Sequence, residues 1–329
     1  MGSGLVFRHR GLAVTALAAI GLVLAGAACR PQNTVPADAH RATRTEVREL
    51  SPAPGALALP VKPGSVRFAV IGDSGRGDAA QTAVAQQMIA WHQKFPFDFV
   101  VMLGDNIYPP HVADDYVIKF EQPYRALLDA GVKFYAAIGN HDPSTELNYP
   151  TFNMEGRRYY SFRRSEQNLQ GLGGAGVRFF VLDSRSFDPG QLAWLHDELA
   201  KSRTDWKICY FHHPLYTSGR YSNAARVLRL VLEPILIDGD VDVVLNGHEH
   251  FYERIHPQHG ISYFISGGAG SLREADIRRP SPIMARGFDT DFHFVMMEIS
   301  GDTLYFQAVS RTGATIDAGS ITRTPASGS

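Results

Sequence analysis

The segment "FDFVVMLGDNIYPP" (Phe97–Pro110) carries both the fold and the chemistry of this 329-residue chain. Phe99 to Leu103 form an apolar, β-rich run of the length a buried strand uses. The run stops at Gly104, and a carboxylate (Asp105), an amide (Asn106) and a phenol (Tyr108) follow at once. Such a turn needs no function by itself, because glycine tolerates unusual dihedrals and Asp and Asn bond their own backbone. Its meaning depends on whether other strand ends carry matching groups.

They do. From residue 65 the chain alternates strand-like and helix-like stretches: "SVRFAVIG", then "DAAQTAVAQQMIAWHQK" with Asp78 as cap, then "FDFVVMLG". A helical stretch interrupted by Pro123 leads to "KFYAAIG", and "VRFFVLD", a helix from Pro189, "WKICYF" and "VDVVLNG" follow. This order predicts an α/β fold whose sheet has parallel members. The tail, "ISYFISGG", "FHFVMMEI" and "TLYFQAVS", reads as strands without intervening helices. Asp73 follows the first strand, Asp105 the second, Asn140 and His141 the third, His212 and His213 "ICYF", and "GHEH" (Gly247–His250) "VVLN". Ligands in open α/β sheets gather outside the carboxyl ends of strands, so these residues are expected to converge. The set offers oxygen and nitrogen donors without thiolate, which suits first-row metal ions and not a structural zinc finger. It is too large for one ion; with Asp105 bridging, two ions roughly 3.5–4 Å apart would form the clamp used in displacement at phosphorus.

Composition, 44% hydrophobic and 20% charged, supports a sizeable core, and a net charge of -1 gives no basic surface for nucleic acid. The amino terminus differs: Arg8 and Arg10 precede an apolar run from Gly11 to Ala28 built of small side chains and ending at Cys29. It reads as an export signal over 1–28, with a membrane-spanning segment as the alternative. Residues 29–64, rich in Pro and Ala, read as a tether, 65–320 as the catalytic domain and 321–329 as a flexible tail. Cys209 reads as a small buried hydrophobe.

The ordered motifs "GDSG", "GDNIY", "GNHD", "FHHP" and "GHEH" resemble the calcineurin-like metallophosphoesterases and, within them, the purple acid phosphatases. The resemblance covers roughly residues 66 to 300 and implies a four-layer αββα sandwich of two mixed sheets flanked by helices. In most of that superfamily a ligand histidine stands two residues after the first aspartate, where this chain has Gly75; in the purple branch a tyrosine replaces it, matching Tyr108. The resemblance assigns Asp73, Asp105, Tyr108 and His250 to a ferric ion, and Asp105, Asn140, His212 and His248 to a divalent ion (Fe, Zn or Mn). His213 is left as a residue that supports the ligands from behind or packs beside them. His141 is the expected acid toward the leaving group or a phosphate binder, and Asp142 the residue that orients its ring. The family's substrate-contacting histidine has no counterpart between Pro214 and Val227. Arg220 and the loop "GGAGSLREADIRRPSP" (Gly267–Pro282) are candidates for the site's rim, the loop being read as mobile.

The implied activity is hydrolysis of small phosphate monoesters by in-line attack of a metal-held hydroxide. Phosphodiesterase or nucleotidase action, and a metal-binding surface protein without catalysis, are the alternatives. Cys29 resembles the lipidated cysteine of bacterial lipoproteins, so a periplasmic, cell-surface or secreted protein is expected, touching the membrane only through that lipid; ordinary cleavage after Ala27 or Ala28 is the other possibility.

Overall fold

In the computed structural model, residues 45–165, 176–202 and 205–323 are described. The export signal, Cys29 and the first part of the tether lie outside them. In chain order the elements are β1 (Thr45–Glu49), β2 (Val66–Ile71), α1 (Ala79–His92), β3 (Phe99–Met102), α2 (Gln122–Asp129), β4 (Lys133–Ala136), β5 (Tyr160–Ser165), β6 (Gly176–Val181) and α3 (Pro189–Ala200). Then come β7 (Trp206–Phe211), α4 (Ser222–Asp238), β8 (Val243–Asn246), β9 (Tyr252–Gln258), β10 (Ile261–Ser266), β11 (Met284–Phe288), β12 (His293–Ser300), β13 (Thr303–Ser310) and β14 (Thr315–Arg323).

Local sequence accounts for most boundaries. Asp78 caps α1 by accepting from Gln81 N–H at 3.0 Å, and Asp188 caps α3 in the same way on Gln191 at 3.0 Å, with Pro189 opening the helix. Pro123 falls at the start of α2, and the five residues before it, Val117–Glu121, form a π-helical turn. Strands β3, β7 and β8 are buried along their whole length, as expected of parallel strands covered on both faces.

The strands form two seven-stranded mixed sheets, ordered β1-β14-β13-β12-β2-β3-β4 and β11-β9-β10-β8-β7-β6-β5. Only β2, β3 and β4 run parallel in the first, and β6, β7, β8 and β10 in the second. The sheets meet through an aromatic interior: the Phe179 ring stands edge-on to Phe68 and Phe99 at 5.2 and 5.4 Å, and Phe264 meets Phe306 at 5.1 Å. Met88 and Trp91 of α1 join that core, while Leu195 and Leu199 of α3 and Leu232 and Leu236 of α4 cover Phe180, Cys209 and Phe211 of the second sheet. Two mixed sheets flanked by helices are the architecture expected from the sequence.

Three stretches depart from the sequence reading. Residues 45–64 are no free tether: β1 pairs antiparallel with β14, Leu59 is buried, and the buried Glu298 carboxylate accepts from Val61 N–H (2.8 Å), Lys62 N–H (2.5 Å) and the Ser65 hydroxyl (2.8 Å). Leu57, Leu59 and Val61 alternate as in a strand, but Pro60 between them hides the period. Strand β14 continues to Arg323, so the assigned tail begins inside a strand. Helix α4 escaped notice because Pro234 lies inside it and Val227 and Leu230 are exposed, blurring the helical stripe. Replacing Glu298 by Ala removes one acceptor from three donors and should lower unfolding free energy by roughly 2–4 kcal/mol in urea titration. Deleting residues 45–64 should also lower the melting temperature; an unchanged melt in both variants is what a free tether would give.

Candidate metal centre

Strands β2, β3, β4, β7 and β8 each lead into a turn that carries a candidate ligand, and the turns interlock through those same ligands. Asp73 N–H donates to Gly104 O at 3.0 Å, His248 N–H to Asp73 Oδ2 at 2.8 Å and His141 N–H to Asp105 Oδ1 at 2.9 Å. Asp73, Asp105 and His248 have φ of 56°, 53° and 68°. That left-handed conformation costs on the order of 1–3 kcal/mol per non-glycine residue and persists only where the surroundings over-determine it. It folds each chain back directly after its strand, so the side chains meet.

They meet in two groups. In one, the Tyr108 hydroxyl donates to Asp73 Oδ1 at 3.3 Å and lies 3.1 Å from His250 Nε2, which is 3.2 Å from the same carboxylate oxygen. In the other, His212 Nε2 lies 3.0 Å from Asn140 Oδ1, 3.1 Å from His248 Nδ1 and 3.4 Å from Asp105 Oδ1. His212 Nδ1 is 3.0 Å from the Leu103 carbonyl, which can only accept, so Nδ1 carries the proton and the Nε2 lone pair faces the Asp105 and Asn140 oxygens. Lone pairs set against lone pairs in a buried site fit a cation between them. Donor atoms of Asp73, Asp105 and His212 fall within 4.8 Å of one another, and so do those of His212, His213 and His248.

Burial sets the protonation. It drives the His212 imidazole well below its ordinary range, helped by His213, and takes His248 to about 2 and His250 to about 3. All three rings are therefore neutral at physiological pH, the form that ligates metal. Burial and the Asp105 charge push Asp73 upward, the penalty a bound cation would remove. Tyr108 is driven up by burial and by Asp73 and Asp105, against the opposing pull of Ser271 and Arg76.

The structure thus brings together Asp73, Asp105, Tyr108, Asn140, His212, His248 and His250, with the His141 side chain exposed beside the Tyr108 ring at 4.9 Å. Asp142 requires correction. Its buried carboxylate accepts from Gly139 N–H (2.7 Å) and Ile107 N–H (2.9 Å), and among the described residues no hydrogen bond joins it to the His141 ring. It ties the β3 turn to the β4 turn, and burial raises it to about 7. His213 meets Ser184 through Nδ1 at 2.9 Å, and its ring lies 4.4 Å from that of His248. Arg220 pairs with Asp276 and turns from substrate to fastening the 267–282 loop, which is pinned again where Arg279 meets Asp289 at 2.9 Å. Sequence reasoning missed Glu249 and Glu253. Of these buried carboxylates, Glu249 accepts from the Thr217 hydroxyl and Tyr221 N–H and Glu253 from Ser218 N–H, and so they fix the loop that lays Tyr221 4.3 Å from the His248 ring. The available signal was two acidic residues in "GHEHFYE", between the apolar runs "VDVVLN" and "ISYFIS".

At Gly75, where the wider superfamily resemblance would look for a histidine, the structure leaves no room for a side chain. A Cβ there would stand 1.9 Å from Asn106 O, because the β2 and β3 turns lie backbone to backbone, with Gly75 N–H on Asp105 O (3.2 Å) and Tyr108 N–H on Gly75 O (2.9 Å). No side chain fits, and that backbone contact is what delivers Tyr108. Gly75→Ala should destabilise the fold by about 3 kcal/mol through overpacking and weaken metal uptake together; calorimetry and metal analysis on one sample would check this, and a wild-type melt would refute the contact.

Comparison with known proteins agrees with this geometry. The sequence profile of the calcineurin-like phosphoesterases matches residues 66–252. Purple acid phosphatase 7 of Arabidopsis thaliana is 30% identical over 248 residues, which span 65% of this chain and 74% of that one. Among solved structures, GAP50, the anchor in the inner membrane complex of Plasmodium, superposes with a TM-score of 0.70 at 18% identity, covering 80% of this chain and 90% of its own. The purple acid phosphatase PPD1 from yellow lupin seeds superposes with a TM-score of 0.63 at 19% identity, covering 81% of this chain and 55% of its own. The two structural likenesses speak to the fold. With five strand-end motifs in order and the profile and plant relative in agreement, the chain belongs to the calcineurin-like phosphoesterase family, with purple acid phosphatases as relatives, and is a hydrolase of phosphoric esters.

Proposed function

We propose that the chain is an exported dimetal phosphatase acting on small phosphate monoesters. The observation that carries this reading is the confrontation of buried lone pairs around His212 Nε2 beside the Tyr108–Asp73–His250 group, two adjoining nests joined at Asp105. Asp73, Asp105, Tyr108 and His250 would hold a ferric ion, for which a phenolate oxygen is a fitting hard donor. Asp105, Asn140, His212 and His248 would hold the divalent partner. When bound, the pair supplies Lewis acidity toward phosphoryl oxygens and an activated water.

The chain's own residues provide the rest. His141 stands exposed at the mouth, its main-chain N–H fixed on Asp105, so its ring can reach a leaving oxygen and give it a proton. With Asp142 committed to backbone N–H groups, His141 takes its orientation from Tyr108 and the β4 turn. The apolar run ending at Cys29 supports export, with a lipid on Cys29 as the membrane tie.

Protein loaded with iron and zinc should hydrolyse an aryl phosphate monoester faster than the diester and absorb in the visible. Asp105→Asn and His248→Ala should lose turnover together with bound metal, and Tyr108→Phe should lose the visible band. Diester preference would move the assignment to phosphodiesterase, and full metal content with normal rates in the ligand variants would end the site assignment. His141→Ala should keep both metals and slow turnover by about 10²- to 10⁴-fold, less for leaving groups that need no proton. An equal deficit for good and poor leaving groups would remove His141 as acid.

A further inference from the structure

The Arg76 guanidinium lies over the Tyr108 ring, with its central carbon 3.9 Å from the ring centroid. Its place is not accidental to the turn: Arg76 follows Gly75 in the backbone contact that delivers Tyr108, and Arg76 N–H closes a turn on Ser74 O at 2.8 Å. Arg76 Nε donates to the Ser271 hydroxyl at 2.9 Å, so the 267–282 loop helps to hold the group over the ring. Among the described residues no carboxylate pairs with this exposed arginine within ion-pair distance, although its neighbours Asp73 and Asp78 are acidic. Arg220 and Arg185 do engage carboxylates, Asp276 at 2.9 Å and Asp183 at 2.9 Å. A charge kept from carboxylates and placed on a phenol face has the phenol as its electrostatic partner.

We infer that Arg76 is a positioning residue of the metal centre, stabilising the negative charge of the Tyr108 phenolate through its ring and setting the energy at which that phenolate gives electron density to iron. This rests on the proposed role of Tyr108 as an iron ligand. A guanidinium over an aromatic face is attracted by the ring's quadrupole, more so as the ring becomes anionic and as water is excluded. It lowers the energy of the filled ring orbital and disfavours the electron-poor ring that charge transfer to the metal creates. The absorption energy is therefore raised by Arg76. Arg is suited to this where Lys is not, because a planar group held at Nε can lie flat while a compact ammonium on a flexible stem stays hydrated.

The test is the visible spectrum of iron-loaded full-length wild type, Arg76→Gln, Arg76→Lys and Ser271→Ala, at equal iron content and with melting curves alongside. Arg76→Gln should move the band to longer wavelength, by on the order of ten nanometres for loss of a contact of this kind. Arg76→Lys should fall between it and wild type, and Ser271→Ala should shift the same way by less. A band present in wild type and unmoved in Arg76→Gln would overturn the inference and leave the Tyr108 assignment standing. No band in iron-loaded wild type, or a band surviving Tyr108→Phe, would overturn the assignment and the inference with it.

Discussion

Everything at the carboxyl ends of the parallel strands answers to one constraint: buried lone pairs that face one another need positive charge between them. His212 is the clearest case, its Nδ1 committed to the Leu103 carbonyl and its Nε2 turned on the Asp105 and Asn140 oxygens. Burial keeps the imidazoles neutral and raises the carboxyl of Asp73, so the unliganded arrangement is electrostatically costly. Packing alone gives no reason for such a site, since apolar groups of similar volume often serve a buried position as well or better.

The fold supplies the means of holding that arrangement. Two sheets packed through an aromatic interior fix the ends of β2, β3, β4, β7 and β8 relative to one another, and tight turns aim the ligands back across the gap. Left-handed backbone at Asp73, Asp105 and His248 is tolerated because each turn donates to, or accepts from, its neighbour. Strain and ligand placement are thus two views of one network.

Around this rigid centre the rim is held by buried carboxylates that touch backbone. Asp142 joins the β3 and β4 turns, and Glu249 and Glu253 fasten residues 217–221, Tyr221 among them. The 267–282 loop, whose Gly-, Ser- and Pro-rich composition suggested mobility, is instead fixed where Arg220 meets Asp276, where Arg279 meets Asp289, and where Arg273 N–H donates to His250 O at 3.1 Å. Tyr221 stands in a loop without histidine, so the ring that this loop sets beside His248 is a phenol.

The strand-and-helix alternation and the polar groups that follow the strands were legible in the sequence, because short-range periodicity and turn chemistry are local properties. So were the cap Asp78, the helix opening at Pro189 and the burial of Cys209. Other features were invisible for a physical reason: they depend on which backbone comes to lie against which. Residues 45–64 look like a tether until β14 and Glu298 supply the partners for their N–H groups. Helix α4 shows apolar residues on both faces, and only packing decides that Leu232 and Leu236 face inward. Asp142 sits beside His141 in sequence, yet its carboxylate turns to Ile107 and Gly139, since a buried carboxylate is satisfied by the nearest unpaired N–H groups in space. Sequence determined which chemical groups are present and at which strand ends; the tertiary structure decided which oxygen faces which nitrogen, because hydrogen bonding and desolvation act over a few ångströms and not along the chain.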